Sequence, residues 1–322
     1  MFSHKDIEYR SIFVVNSLEG KSLRVQTGEL FLEDKESGKV LTKFPFQKIL
    51  AIFIIGHTTI TTPLIEKCSQ FGISIVAMKA NFRPVFFFGN AAEANFLLRK
   101  KQYEYQKNNL QIPKILVANK IKNCIKNLEK TRLKNDLTVY AKTESNKLLE
   151  RLLNTEEYND VMGIEGIAAR MYFSAYFADL NWKVRAPRTK IDPMNAALDI
   201  GYTILFNYIE AFVRLFGFDV YRGFYHQLWF KRKSLICDLV EPFRCLIDQA
   251  IRKGFNLKQM SESDFNFRKG EWQIKLSKSS EYSKLFYEVL IEHKKEVFLY
   301  MQKFYRAFMG NKNNKDYPEF LC

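Results

Sequence analysis

At about Ala91 the hydrophobic rhythm of this 322-residue chain changes, and that change limits its fold more than any other feature. From residue 11 to 88 the chain is a series of short runs rich in Val, Ile and Phe: IFVVNS, SLRVQT, ELFLED, KVLTKF, KILAIFII and ISIVAM. Gly20, Gly28, Gly38 and Gly72 punctuate them at the spacing of a β-meander, and ESG between two of the runs suits a hairpin loop. Thr62-Pro63 ahead of LIEKCSQFG predicts a short helix with proline in its first turn and Gly72 closing it. NFRPVFFFGN ends the strand-rich part. Beyond it apolar residues recur at helical spacing, as at Ile115, Ala118, Ile121 and Ile125. Helices are predicted at 92–109, 112–130, 142–153, 158–180, 194–216, 236–252 and 281–309, with EWQIKL able to form a small strand before the last. The fold class is therefore α+β. A small N-terminal β-strand domain (1–90) precedes a larger helical domain (91–310), and a polar tail (311–322) is expected to be mobile.

Fifty Lys and Arg against 35 Asp and Glu leave a formal charge of +15 and a pI near 9.4. The cations are spread along the whole length, which favours a broad surface for a polyanion, nucleic acid or an anionic membrane face, over a tethering arm. Twenty-nine Phe and 47% hydrophobic residues supply ample core and argue against disorder. The five cysteines (Cys68, Cys124, Cys237, Cys245, Cys322) are odd in number and lack CxxC spacing. That argues against a zinc knuckle or a disulfide framework, and for a reducing compartment. MFSHKDIEYR has no apolar signal core, and the longest apolar run, around Ile49 to Ile55, is strand-sized; the expectation is a soluble intracellular protein. GxxxxGKS/T, GxGxxG and GxSxG are all absent, which disfavours P-loop, dinucleotide-binding and esterase chemistry.

The chemistry-bearing segment is GFYHQLWFKRKSLICDLVEPFR, residues 223–244. A lone histidine such as His226 is more often structural, but Arg222, Lys231, Arg232 and Lys233 around it suit a phosphate-bearing substrate beside a metal ligand. Asp238 and Glu241 share one helix face among Leu235, Ile236, Leu239, Val240 and Phe243, so a carboxylate is drawn inward and needs a cation. His226 and Glu241 would stand about 22 Å apart on a straight helix. The chain must fold back between them, with KRKS at the turn, Ser234 as the helix N-cap and Pro242 opening or kinking the helix beside Glu241. Upstream, GIEGIAARMYFSAYF has Gly163, Gly166, Ala168 and Ala169 around Glu165, as if another backbone approached there; the plainer reading is a packed helix with Glu165 facing water. KVRAPRTKIDP offers Lys183, Arg185, Arg188 and Lys190 on a loop for phosphate contact, ahead of a helix capped by Asp192 and opened by Pro193. His57 and His293 need no special role. Taken together, the residues point to metal-dependent chemistry on nucleic acid.

GIEGIAAR, DPMNAALDIGY, GFDVYRGFYH and SLICDLVEPFR occur in that order, and together they resemble the CRISPR-associated adaptation integrase family, the endonuclease subunit that inserts new spacers into CRISPR arrays. Arg99, Gln102 and KIKN (Lys120 to Asn123) fit the same pattern. The resemblance implies that Glu165, His226 and Glu241 are the catalytic residues and hold Mg²⁺ or Mn²⁺. It implies Asp238 beside the site as a support or occasional ligand, Arg244 orienting the glutamate, and Asn195 supporting the helix packing. The implied reaction is attack of the 3′-hydroxyl of a short DNA on a phosphodiester at a repeat boundary, with water in its place giving nuclease activity and no need for ATP. The implied partners are double-stranded DNA (prespacer and CRISPR repeat), further copies of the chain in a homodimer or higher assembly built through the β-domain, and a small ferredoxin-like subunit, in a prokaryotic cytoplasm. The segment HQLWFKRKSL departs from the family's HxxRxGRxSL-like pattern, with Trp229 and Phe230 where smaller or polar residues are usual. The alternative is a nucleic-acid-binding protein of the same fold without turnover; the presence of all three ligand-type residues favours catalysis.

Overall fold

The computed structural model describes residues 4–322 apart from 90, 91, 93 and 107. Helix α1 (His4–Tyr9) leads into strands β1 (Ser11–Asn16), β2 (Lys21–Gln26), β3 (Glu29–Asp34), β4 (Val40–Pro45) and β5 (Ile49–Ile55). Helix α2 (Thr62–Phe71), β6 (Ser74–Met78) and β7 (Pro84–Phe88) complete the β-domain. The expected meander holds only for β2, β3 and β4, which form an antiparallel sheet. The other four strands form a second sheet in the order β1-β5-β6-β7, with β1 and β6 parallel to β5 and β7 antiparallel to β6. The reason lies in β5 itself. Every residue of ILAIFII is buried, and a strand apolar on both sides belongs at the centre of a sheet covered on both faces, where parallel pairing is usual. Ile52 and Ile54 pack with Leu64 and Cys68 of α2 and with Leu23 and Leu30 of the small sheet. Phe53 and Ile55 face the helices instead. The crossover helix α2 starts with Pro63 in its first turn and ends at Gly72 with φ 68°, as its sequence predicts.

The helical domain comprises α3 (Phe96–Glu104), α4 (Gln111–Lys130), α5 (Asp136–Asn154), α6 (Tyr158–Tyr176), α7 (Pro193–Arg214), α8 (Ser234–Val240) and α9 (Arg244–Asn256). A hairpin of β8 (Phe265–Arg268) and β9 (Glu271–Ile274) follows, then α10 (Leu276–Glu292) and α11 (Lys294–Met309). The C-terminal part is thus helix-rich but not wholly helical. Its axis is α7, whose length and mean hydropathy of 1.2 would suffice to cross a membrane although polar residues interrupt it; 72% of that stretch is buried inside the protein as core. Tyr208 of α7 stacks on Phe53 of β5 at 5.9 Å, and Asn207 Nδ2 donates to the Phe82 carbonyl at 2.8 Å, so α7 welds the sheet to the helices. Two helices expected as continuous are divided. One breaks at His293, which ends α10 and caps α11, and the other breaks at Pro242, where a 3₁₀ turn (Glu241–Phe243) intervenes.

The tail is docked rather than mobile. Tyr317 and Phe320 are buried, and the Phe320 ring lies 4.6 Å from Phe243. Asn119 on α4 donates to the Phe320 carbonyl at 2.6 Å and accepts from its N–H at 3.0 Å. Polar composition misleads here because two aromatic anchors and a paired amide outweigh the lysines and asparagines between them. Phe320→Ala is expected to cost about 3 kcal/mol, read as a lower urea midpoint; an unchanged midpoint would show that the docking contributes nothing.

Candidate active site

Chain reversal after His226 brings the expected residues together. Asp238, fully buried on α8, accepts backbone N–H groups from Phe224 (2.6 Å), Tyr225 (2.9 Å) and His226 (2.8 Å). The His226 ring nitrogen Nδ1 lies 2.7 Å from Asp238 Oδ1. Four donors thus converge on the Asp238 carboxylate, which positions His226. It also fixes the imidazole with Nδ1 inward and Nε2 free. Gly223 is required in this turn, because an added Cβ would stand 2.8 Å from Asp238 Oδ2. Ser234 is the first residue of α8 rather than its cap, and its hydroxyl donates to the Gln227 carbonyl at 2.9 Å, tying the loop to the helix.

Glu165 on α6 and Glu241 on the 3₁₀ turn meet at one cation, Lys120 of α4. The Lys120 ammonium hydrogen-bonds Glu165 Oε1 and stands 2.7 Å from Glu241 Oε2. Arg244 Nη2 completes the cluster 3.0 Å from Glu241 Oε1. Tyr225 donates to Glu165 Oε2 at 3.4 Å. Burial opposes ionisation of Glu241, yet Arg244 and Lys120 outweigh it and hold the carboxyl well below the usual range. Burial likewise opposes the charge on Lys120, and Glu241 and Glu165 overcome it, raising that ammonium's pKa. The side chain of Glu241 is 5% exposed, whereas those of Glu165 and His226 are each 24% exposed. Gly163 and Gly166 do not admit a neighbouring backbone: a Cβ at either would meet nothing within 4 Å, so the α6 surface beside Glu165 is open ground.

Among the described residues no three His, Cys, Asp or Glu side chains converge closely enough to share an ion. The donor chemistry nevertheless suits a divalent cation. Glu241 Oε2 is buried and close to Lys120 but receives no aligned hydrogen bond, and two carboxylates with a free imidazole nitrogen form a set that Mg²⁺ or Mn²⁺ accepts. Lys120 was legible only as part of KIKN. A stronger signal was the stripe Asn119, Asn123, Asn127, spaced by four and wholly buried on α4. Asn123 donates to the Pro242 carbonyl at 2.8 Å, which pins the turn that carries Glu241.

The predicted DNA-contact residues divide. Lys183, Arg188 and Lys231 are exposed. Arg185 is engaged with Asp199 (2.6 Å) and Asn195 Oδ1 (2.8 Å), Lys190 with Glu271 (3.1 Å), and Lys233 with buried Glu210 (2.6 Å). Arg222 donates to the carbonyls of Gln102 and Tyr105. Arg232 is half-buried, and its buried Nε has no hydrogen-bond partner among the described residues. Asn195 organises the 184–195 loop, accepting from Arg185 and the Ala186 N–H and donating to the Val184 carbonyl, instead of packing helices near the glutamates. Asp192 caps α7 as predicted, accepting from the Asn195 N–H at 2.6 Å. Arg99 and Gln102 bind the 217–222 loop from α3. A cavity of about 680 Å³ between the β-domain and α7 is lined by Arg83, Arg185, Arg188, Lys190 and Arg244. Behind Arg244, whose guanidinium lies 4.6 Å from the Tyr202 ring centre, Tyr202 and Tyr172 donate to buried Asp248 at 2.5 and 3.0 Å.

A family model described as CRISPR associated protein Cas1 matches residues 14–288. The chain is 29% identical over 272 residues to a CRISPR-associated endonuclease Cas1 of Thermodesulfovibrio yellowstonii, covering 81% of this chain and 80% of that protein. Among solved structures, a chain of a Cas6-RT-Cas1–Cas2 complex superposes with a TM-score of 0.78 at 18% identity over 97% of this chain, which spans 36% of that longer chain. A casposase bound to integration product superposes with a TM-score of 0.77 at 18% identity, covering 96% of this chain and 94% of that one. At these identities the two structures speak for the fold.

Burial pushes the Asp248 carboxyl up to about 6, against the hydrogen bonds from Tyr202 and Tyr172. A carboxyl whose pKa is raised on folding binds its proton more tightly in the native state, so its contribution is full below pH 4 and is lost as pH rises through 6. Asp248→Asn is therefore expected to be more stable than wild type at pH 7, by up to about 3 kcal/mol, with the difference vanishing near pH 4. Thermal melts of both proteins between pH 4 and 7 check this; a pH-independent difference would refute it.

Proposed function

The chain belongs to the Cas1 family of CRISPR-associated proteins, and from that premise we propose that it is a metal-dependent DNA integrase and endonuclease of CRISPR adaptation. Its reaction is attack by the 3′-hydroxyl of a short DNA on a phosphodiester at a CRISPR repeat, or by water in the nuclease mode. The observation that carries the reading is the meeting of Glu165 and Glu241 around a single cation, beside a histidine held by Asp238. Glu165, Glu241 and His226 Nε2 are the groups that would hold Mg²⁺ or Mn²⁺. Bound there, the ion supplies Lewis-acid stabilisation of charge on the phosphodiester under attack. Arg244 keeps the Glu241 carboxylate ionised and oriented. Asp238 holds the imidazole at Nδ1 and so turns Nε2 away from itself. Exposed Lys183, Arg188 and Lys231 supply phosphate contacts that position the duplex without reading its sequence.

The likeness to a chain of a complex that includes Cas2 supports assembly with a partner subunit, and a small ferredoxin-like partner and pairing of copies through the β-domain are part of the same proposal. The casposase bound to integration product supports strand joining over simple hydrolysis. The competing reading, a DNA-binding protein without turnover, draws on Lys120, which already neutralises both glutamates.

Joining of a short duplex to a supercoiled plasmid carrying a CRISPR repeat separates the two readings, run with and without the partner subunit. Glu165→Gln, Glu241→Gln and His226→Ala are each expected to lose joining by roughly 100-fold or more, and EDTA to abolish it. Joining that survives all three substitutions would sink this site. A second readout is independent of activity. Lys120→Met leaves two carboxylates without their shared cation and is expected to lose about 3 kcal/mol in EDTA, with recovery in Mn²⁺; a variant indifferent to Mn²⁺ would mean that the glutamates do not bind the ion.

A further inference from the structure

Two cysteines far apart in the chain meet behind the charge cluster. Cys245, the second residue of α9, is buried, and Cys322 lies in the docked tail with part of its surface in solvent. Their thiols are in hydrogen-bond contact. The same two asparagines of α4 hold both residues. Asn127 donates to the Cys245 carbonyl at 3.3 Å, and its Oδ1 lies 3.2 Å from Cys322 Sγ. Asn123 Oδ1 accepts from the Cys322 N–H at 3.0 Å. Cys245 Sγ also donates to the Pro242 carbonyl at 3.4 Å. The approach is not that of a loose end, because Tyr317 and Phe320 are buried just upstream and Asn119 pairs with both backbone groups of Phe320.

The two sulfurs are unequal in the way that thiol–disulfide exchange requires. At Cys322 the hydrogen bond from Cys245, helped by the charge of Lys130, outweighs burial and lowers the thiol's pKa, which favours the reactive thiolate at the partly exposed member of the pair. Burial raises that of Cys245 and keeps it a thiol. Burial likewise pushes the Cys68 thiol up to about 12. We propose that Cys245 and Cys322 are a modification site, a thiol pair that a small-molecule disulfide converts into an intramolecular disulfide fastening the tail to α9. The Cys322 sulfur attacks one sulfur of the small disulfide, whose S–S bond breaks, and one half leaves as a thiol carrying the Cys322 proton. The Cys245 sulfur then attacks the Cys322 sulfur and expels the second half, which takes the Cys245 proton. Two electrons and two protons pass from the protein to the small molecule, which is reduced to two thiols. The effect reaches the charge cluster through Asn123, which accepts from the Cys322 N–H and donates to the Pro242 carbonyl. A fastened tail therefore holds the turn that carries Glu241, whatever reaction the site performs.

The test uses the full, folded chain, first reduced, then freed of reductant and incubated with glutathione disulfide. Free thiols are blocked, and the protein is digested with trypsin without reductant. Cleavage after Arg244 and after Lys315 is expected to leave one cross-linked species, joining the peptide that begins at Cys245 to the peptide that begins at Asp316. The oxidised chain is expected to melt roughly 5–10 °C above the reduced one, because the bond closes a long loop in the unfolded chain. Amide hydrogen exchange across residues 241–245 is expected to slow, and dithiothreitol to reverse all three changes. Cys245→Ser is expected to stop at a glutathione adduct on Cys322, and Cys322→Ser to form no cross-link; neither gains in melting temperature. Absence of the cross-link in the folded chain, or its formation only in urea, would overturn the proposal. So would a cross-link of Cys322 to Cys124 or Cys237, which would assign the wrong pair. A Cys245–Cys322 bond that left both the melt and the exchange unchanged would refute the fastening of tail and turn.

Discussion

Two carboxylates and two cations sharing one largely enclosed space set the register of the helical domain. Lys120, Glu165, Glu241 and Arg244 come from four segments, α4, α6, the 3₁₀ turn and α9. An ion buried alone would cost several kcal/mol, so each of these charges is tolerable only when the other elements arrive in the right place. Around this point the apolar core can tolerate small repacking, but a slip of α4 by one residue would strand Lys120 and free Asn123 from the Pro242 carbonyl together. The cluster is therefore a fold-specifying device first. It becomes a chemical one because the same two glutamates, drawn together by an ammonium, are spaced to be drawn together by another cation.

Asp238 does for the loop what that cluster does for the helices. A carboxylate at the end of a chain reversal gathers three successive N–H groups and the imidazole, so backbone conformation and side-chain tautomer are fixed by one residue. With its lone pairs occupied by backbone donors, an ionised Asp238 can only accept from Nδ1, and the proton must therefore sit there. Fold and function are inseparable at this residue: unseating it would release the ring and the turn at once.

Much of this was legible in the sequence where local chemistry dominates. The α2 proline and glycine, the Asp192 cap, the inward-drawn Glu241 and the reversal after His226 follow from residue types at fixed offsets. Long-range partners were not legible. Whether apolar runs pair as a meander or in parallel depends on what covers them, which for β5 is a helix more than a hundred residues downstream. Gly163 and Gly166 suggested close packing, since glycine in a helix often makes room; here the room is left for solvent. The tail's anchors were outvoted by its lysines and asparagines. Lys120 looked like one cation among fifty, and only the buried asparagines beside it on α4 betray a polar seam inside the core.

The exposure of the three principal residues is uneven, and that unevenness gives the site a direction. Glu241 is sealed behind Arg244, Lys120 and the 3₁₀ turn, while Glu165 and His226 each keep about a quarter of the side chain in contact with solvent. A ligand approaching from solvent therefore meets Glu165 and His226 first. Gly163 and Gly166 lie on the α6 surface beside Glu165, where an added Cβ would meet nothing within 4 Å. Glycine on α6 carries a cost to the helix with no return in packing, and it leaves the surface beside the partly exposed Glu165 carboxylate clear for a ligand that approaches from solvent.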